Sequence, residues 1–258
     1  MIDTHCHLDF KNYNGRREQL IAEAQAAGVH TIINIGVDPE SSKRSVELAQ
    51  THDSVYATVG IHPHDAKKLG VSTLEELRRL AQRPKVVAIG EIGLDFYRTL
   101  SPRDVQRRAF RKQLELAIEL RLPVVIHTRE SLRETIDTVK EYAGRLAGGV
   151  FHCFPGDSGD ASEVFPLGFV ISVGGVITFK GSRMSQVAAE VPLEKLILET
   201  DSPYLTPVPY RGKENQPAYV RFVYKKLAEL RRAPVAEVEK TVDRTAQKVF
   251  HLVETFGD

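Results

Sequence analysis

Met1-Ile2-Asp3-Thr4-His5-Cys6-His7-Leu8-Asp9 is a short extended segment that ends in two histidines separated by one residue. Strand side chains alternate between faces, so His5 and His7 share one face while Cys6 takes the other. Adjacent imidazoles make poor core and good metal ligands. A lone His-x-His pair says little, but here the pattern recurs. Four later strand-like segments also run into ligand-type side chains, at Glu91, His127, His152 and Asp201.

Between these segments the hydrophobic period switches repeatedly from two to 3.6. Arg16 to Ala27 has helical spacing at Leu20, Ile21, Ala24 and Ala27, stopped by Gly28. Thr31–Gly36 reads as a second strand, Pro39 to about Thr51 as a helix, and Val55–Val59 as the third strand. Leu74–Ala81 follows as a helix, Val86–Ile89 as a strand, and Pro102 to about Leu120 as a long helix with an apolar stripe. Val124–Ile126 is the fifth strand. Ser131 with Glu134 three residues on suggests a capping box for a helix to about Gly144. Gly149–Phe151, a short helix from Ser158, Phe169–Val173 and Leu196–Leu198 complete eight strands, and helices over Pro217–Arg232 and Val235 to about Val253 close the chain.

Eight alternations with near-continuous apolar strands predict an α/β fold, a single (β/α)8 TIM barrel spanning residues 1–258 as one domain. The length matches the roughly 250 residues typical of that fold. A chain of this size buries a core without staples, so Cys6 and Cys153 are expected to be small buried thiols. No apolar run approaches the ~18 residues of a membrane span. The chain therefore reads as soluble and cytoplasmic. A net charge of +1 and a pI near 7.8 give no global positive field, so phosphates, if bound, are bound locally.

In parallel barrels the loops at the C-terminal ends of the strands form the active site. His5, His7, Glu91, His127, His152 and Asp201 would meet at that rim. Imidazoles mixed with carboxylates suit Zn²⁺ or Mn²⁺, and Mg²⁺ less comfortably. Six ligands exceed what one catalytic ion takes from protein, which favours two divalent ions sharing a carboxylate. Such a pair can hold the attacking and leaving oxygens of a hydrolysis and supply hydroxide near neutral pH.

These segments resemble the TatD family of metal-dependent deoxyribonucleases, among the amidohydrolase-like barrels. The resemblance rests on Asp3-Thr-His-Cys-His-Leu-Asp9, Gly60-Ile-His-Pro-His64, Gly90-Glu-Ile-Gly-Leu-Asp95 with Tyr97-Arg98, Pro123-Val-Val-Ile-His127, His152-Cys-Phe154 and Glu199-Thr-Asp-Ser-Pro-Tyr204. It implies one ion on His5, His7, Glu91 and Asp201, and a second on Glu91, His127 and His152, with Glu91 bridging. It also implies that Asp201 doubles as general base, that His62 faces the substrate phosphate or a further ion, and that the substrate is DNA attacked from its ends, often single-stranded. Gln216 stands where the family pattern has a glutamate, Thr245 where asparagine is usual, and Pro155 where serine is typical.

Beyond the ligands, Arg98 and Arg129 are placed to clamp a phosphate, although a salt bridge from Asp95 to Arg98 would serve equally to brace the loop. Glu199 shares strand parity with Asp201 and is expected to orient a ligand histidine. The arginines at 103, 107, 108 and 111 read mainly as a solvated helix face, while Arg211 and Lys213 lie nearer the rim. Two other functions compete: the same ions acting on an amide, lactone or aminoacyl-tRNA ester, and a nucleic-acid-binding protein with a vestigial site.

Overall fold

The computed structural model describes residues 1–252. Eight parallel strands, β1 (Ile2–Cys6), β2 (Thr31–Ile35), β3 (Val55–Val59), β4 (Val86–Asp95), β5 (Val124–Arg129), β6 (Gly149–Phe151), β7 (Phe169–Val173) and β8 (Leu196–Leu198), pair in sequence order. A parallel bridge between Cys6 and Ser202 joins the far end of β8 to β1, so the sheet curls into a nearly closed barrel. This is the expected (β/α)8 architecture.

The helices are α1 (Arg17–Ala26), α2 (Pro39–Thr51), α3 (Val71–Ala81), α4 (Arg103–Leu120), α5 (Leu132–Lys140), α6 (Ser158–Val164), α7 (Arg183–Glu190), α8 (Val220–Arg231) and α9 (Val235–Phe250). Each strand has two apolar faces, which explains the continuous apolar runs. Ile33, Ile35, Val125, Val150 and Ile197 form an inner cluster with Ala246 and Phe250 of α9 and Leu252 just after it. Ile32, Ile126, Phe151 and Ile171 belong instead to the larger cluster with helix residues such as Leu77, Phe110, Leu114 and Leu227.

Four expectations need correction. β4 runs six residues beyond Ile89, because Ile92, Gly93, Leu94 and Asp95 continue to pair with β5 through Arg129. Helix α5 stops at Lys140, short of Gly144. Its capping box does not form: Ser131 makes no cap hydrogen bond, and its hydroxyl donates to Leu94 O at 2.7 Å, tying the helix to β4. Helix α7 was not anticipated; its buried Met184, Val187 and Ala188 have helical spacing but occupy barely two turns. The expected final residue of α9, Val253, lies outside the described residues.

The arginine face of α4 is neutralised. Arg107 pairs with Glu134, Arg108 with Asp104 and Arg111 with Glu141, while Arg103 packs over the Phe96 ring. That agrees with a solvated helix face rather than a phosphate track.

Candidate metal centre

The segment around the two N-terminal histidines is fixed by backbone contacts across the barrel seam. Asp201 N–H donates to His5 O at 2.9 Å, and His7 N–H donates to Ser202 O at 2.9 Å. Asp201 has φ +53°, a conformation that aspartate tolerates better than most residues. The register of β1 against β2 shifts between Asp3 and Cys6, yet Cys6 still packs in the outer cluster while His5 and His7 turn to the mouth. Asp9 anchors the far end by accepting from Asn34, Ser41 and Arg44. His7 Nδ1 lies 3.3 Å from Ile35 O, which sets the tautomer and leaves the Nε2 lone pair 3.6 Å from Asp201 Oδ1.

Glu91 is the hub. Its Oε1 lies 2.8 Å from His127 Nδ1, 2.8 Å from His152 Nε2 and 3.6 Å from His62 Nε2, while its Oε2 lies 3.5 Å from His5 Nε2. His5 Nε2 is in turn 3.7 Å from Asp201 Oδ1, and the His5 and His152 rings stack with centroids 4.0 Å apart. All six predicted ligands therefore come together, with His62 beside them. Burial alone would raise the Glu91 carboxyl, but the imidazoles of His152, His62 and His127 outweigh it and hold it well below the usual carboxylate range. Asp201 is likewise lowered, burial being overcome by His7, His5 and His152.

A second layer supports these groups. The Asp95 carboxylate accepts from His127 Nε2 at 3.2 Å and His64 Nε2 at 2.9 Å, and also from the backbone N–H groups of Tyr97 and Arg98. The Asp95–Arg98 side-chain salt bridge, the alternative to a phosphate clamp by Arg98, is absent among the described residues; Asp95 braces the loop through the Tyr97 and Arg98 amides instead. Glu199 accepts Cys153 N–H and the Ser172 hydroxyl and stands 3.5 Å from His152 Nδ1, the orienting position expected for it. Beneath the site, burial pushes the Asp3 carboxyl up to about 8 despite hydrogen bonds from Thr200. Cys6 is fully buried, whereas Cys153 is only partly so, and burial pushes both thiols up.

The chemistry of this donor set fits divalent cations. Both ring nitrogens of His5 are buried without a hydrogen-bond partner, an arrangement costly for an imidazole left alone and resolved by coordination. Within this cluster three triplets bring ligand atoms within reach of a single ion: His5, His7 and Glu91; His5, His152 and Asp201; and His62, Glu91 and His127. The first lies inside the expected first-ion set. The second crosses the expected division, because the His5 and His152 rings stack, and the third joins two members of the expected second set to His62.

The match to known proteins covers this whole architecture. Residues 2–251 match the family described as TatD related DNase. The chain belongs to that family. It is 37% identical to a Bacillus subtilis protein named as an uncharacterized metal-dependent hydrolase, covering 98% of this chain and 99% of that one. It is 33% identical to a 3′-5′ ssDNA/RNA exonuclease TatD from Pectobacterium carotovorum, with 98% and 100% coverage. The crystal structure of a TatD homologue from Escherichia coli K12 superposes with a TM-score of 0.92 at 34% identity, covering 98% of both chains. As a member of the TatD family, the chain is a metal-dependent hydrolase.

Around this TatD-type centre the three expected substrate contacts separate. His62 lies inside the cluster. Burial and the neighbouring His127 ring push its pKa well down, and its Nδ1 accepts the His64 amide at 3.1 Å, so the neutral ring carries its proton on Nε2. Arg98 and Arg129 are exposed at the rim, and the Arg129 guanidinium lies 3.9 Å over the Tyr97 ring. Two of the family departures sit away from the ligands: Gln216 bonds Glu23, and Thr245 bonds the Thr241 carbonyl within α9, whereas Pro155 follows His152 by three residues. Reading the sequence did not find Asp95 as the partner of His127. Glu91, Gly93 and Asp95 share a strand face, but that parity appears only once β4 is known to extend past Ile89.

No helix among the described residues is long and apolar enough to cross a membrane.

Proposed function

We propose that this chain hydrolyses phosphodiester bonds at the ends of DNA, preferring single strands. In this reading two divalent ions are held by His5, His7, Glu91, His127, His152 and Asp201, with Glu91 bridging. The observation that carries this is Glu91 itself: one buried carboxylate within 2.8 to 3.6 Å of four imidazoles, on both of its oxygens. The imidazole-rich set favours Zn²⁺ or Mn²⁺ over Mg²⁺. The Pectobacterium relative's name supports a nucleic-acid substrate.

When bound, such cations supply Lewis acidity toward the phosphoryl group and a nucleophile at neutral pH. The protein's side chains do the rest. Asp201 is ionised and the more open of the two acidic ligands, its side chain 15% exposed against 4% for Glu91, so it takes the proton of the attacking water. His62 presents an Nε2–H that donates to a non-bridging phosphate oxygen. Arg98 and Arg129, exposed on the rim beside β4 and β5, bind a substrate phosphate on that side of the mouth.

The test is digestion of an end-labelled single-stranded oligonucleotide in Mg²⁺, Mn²⁺ or Zn²⁺. Nucleotide release that stops with chelator and falls at least about 100-fold in Asp201→Asn supports the reading. No release with any ion, or hydrolysis confined to carboxylic ester and lactone substrates in the same series, overturns it.

A further inference from the structure

Beside the His152 side of the mouth, the loops after β6, β7 and β8 enclose an open cleft of about 460 Å³, within the range of ligand-binding pockets. Its walls combine the half-buried ring of Phe179, with the buried Phe154 beneath, and three cations, Lys180, Arg183 and Arg211, and no carboxylate lines it. These cations have no carboxylate partner among the described residues, in contrast to the paired arginines of α4. The Arg211 guanidinium stacks 3.8 Å over the half-buried Phe179 ring, making a flat cationic platform.

The cleft is prebuilt rather than loose. A Cβ on Gly175 would meet Leu205 O at 2.1 Å, and Val208 N–H donates to Thr178 Oγ1 at 2.9 Å, so the loops after β7 and β8 are locked together. Phe154 follows His152 by two residues, which places the cleft next to the centre where the phosphate would be cut.

We propose that this cleft holds the nucleotide adjoining the scissile phosphate in a single-stranded substrate. Its base packs against the open part of the Phe179 ring, and its phosphate, with the next, lies on Arg211, Arg183 and Lys180. Unpaired cations grouped around one open aromatic ring match a strand that carries both charges and bases. This inference rests on the nuclease reading above and adds the subsite that reads strand length.

The experiment measures KM and kcat on single-stranded oligonucleotides of two to ten nucleotides, at several salt concentrations, for the full chain and for K180A/R183A/R211A. Circular dichroism confirms that the triple variant is folded. The expected result is a KM for the longest substrate raised about tenfold or more, with kcat within a factor of about two. The salt dependence of log KM should flatten by about 0.7 for each of the two phosphates no longer neutralised, hence by about 1.4. Phe179→Leu should raise KM with no change in salt slope. Equal KM at every length, or a fall confined to kcat, overturns the cleft proposal while leaving the nuclease reading intact. A wild-type chain that digests none of the substrates sinks both.

Discussion

His127 and Asp95 are joined by a hydrogen bond from Nε2 to Oδ2 at 3.2 Å, and the same oxygen accepts His64 Nε2 at 2.9 Å. This leaves His127 Nδ1 turned toward Glu91 and fixes the ring that the proposed second ion would need. Asp95→Asn keeps the volume and removes the charge. Affinity for the more weakly held ion should fall ~10–100-fold, read by competition with a chelating dye. Unchanged affinity would reduce Asp95 to a loop brace.

His62 tests the division between ligand and substrate contact. With Nδ1 occupied by the His64 amide, its ring faces the cluster as a donor. His62→Ala should retain the wild-type metal content and lose about 10- to 100-fold in kcat/KM. Loss of a bound ion in elemental analysis would instead make His62 a ligand.

Gly93 sits opposite His127 in the β4–β5 ladder with φ +144°, and a Cβ there would come within 2.0 Å of His127 O. Gly93→Ala must therefore push β4 away from β5 directly beneath the site. A destabilisation of roughly 1–3 kcal/mol is expected in urea unfolding, together with weaker metal binding. A midpoint equal to that of the wild type would show that the strand absorbs the methyl group.

The sequence signals behind the site were uneven. His5, His127, His152 and Asp201 were legible because each lies at or just past the C-terminal end of an apolar strand, and a parallel barrel sends all such ends to one mouth. The continuation of β4 was not, because Gly90 and Gly93 carry turn composition, and only pairing with β5 keeps them extended. Ser131 with Glu134 matched a capping pattern, but the tertiary acceptor at Leu94 O competed successfully for the hydroxyl. The interleaving of His5 with His152 could not be read either, since it depends on ring stacking across the barrel between β1 and β6.

On the surface, Glu163 lies between Arg133 and Lys140, which hold its carboxyl down from 4.5 to about 2. A lowered carboxylate contributes stability at pH values above 4.5 that is lost as the pH falls from there toward 2. Carboxyl-carbon NMR should show a midpoint near 2 that climbs toward the ordinary value in ~1 M salt, because exposed pairs are screened. An ordinary midpoint at low salt would mean that the pair is not populated in solution.

The most direct measurement of the central claim is elemental analysis of protein reconstituted with Mn²⁺ or Zn²⁺ and freed of loose ions, comparing the wild-type chain with Glu91→Gln. The paired site predicts two ions per wild-type chain and at most one in the variant, because the shared carboxylate is gone. A wild-type chain that retains no ion, or a variant that retains both, would contradict it.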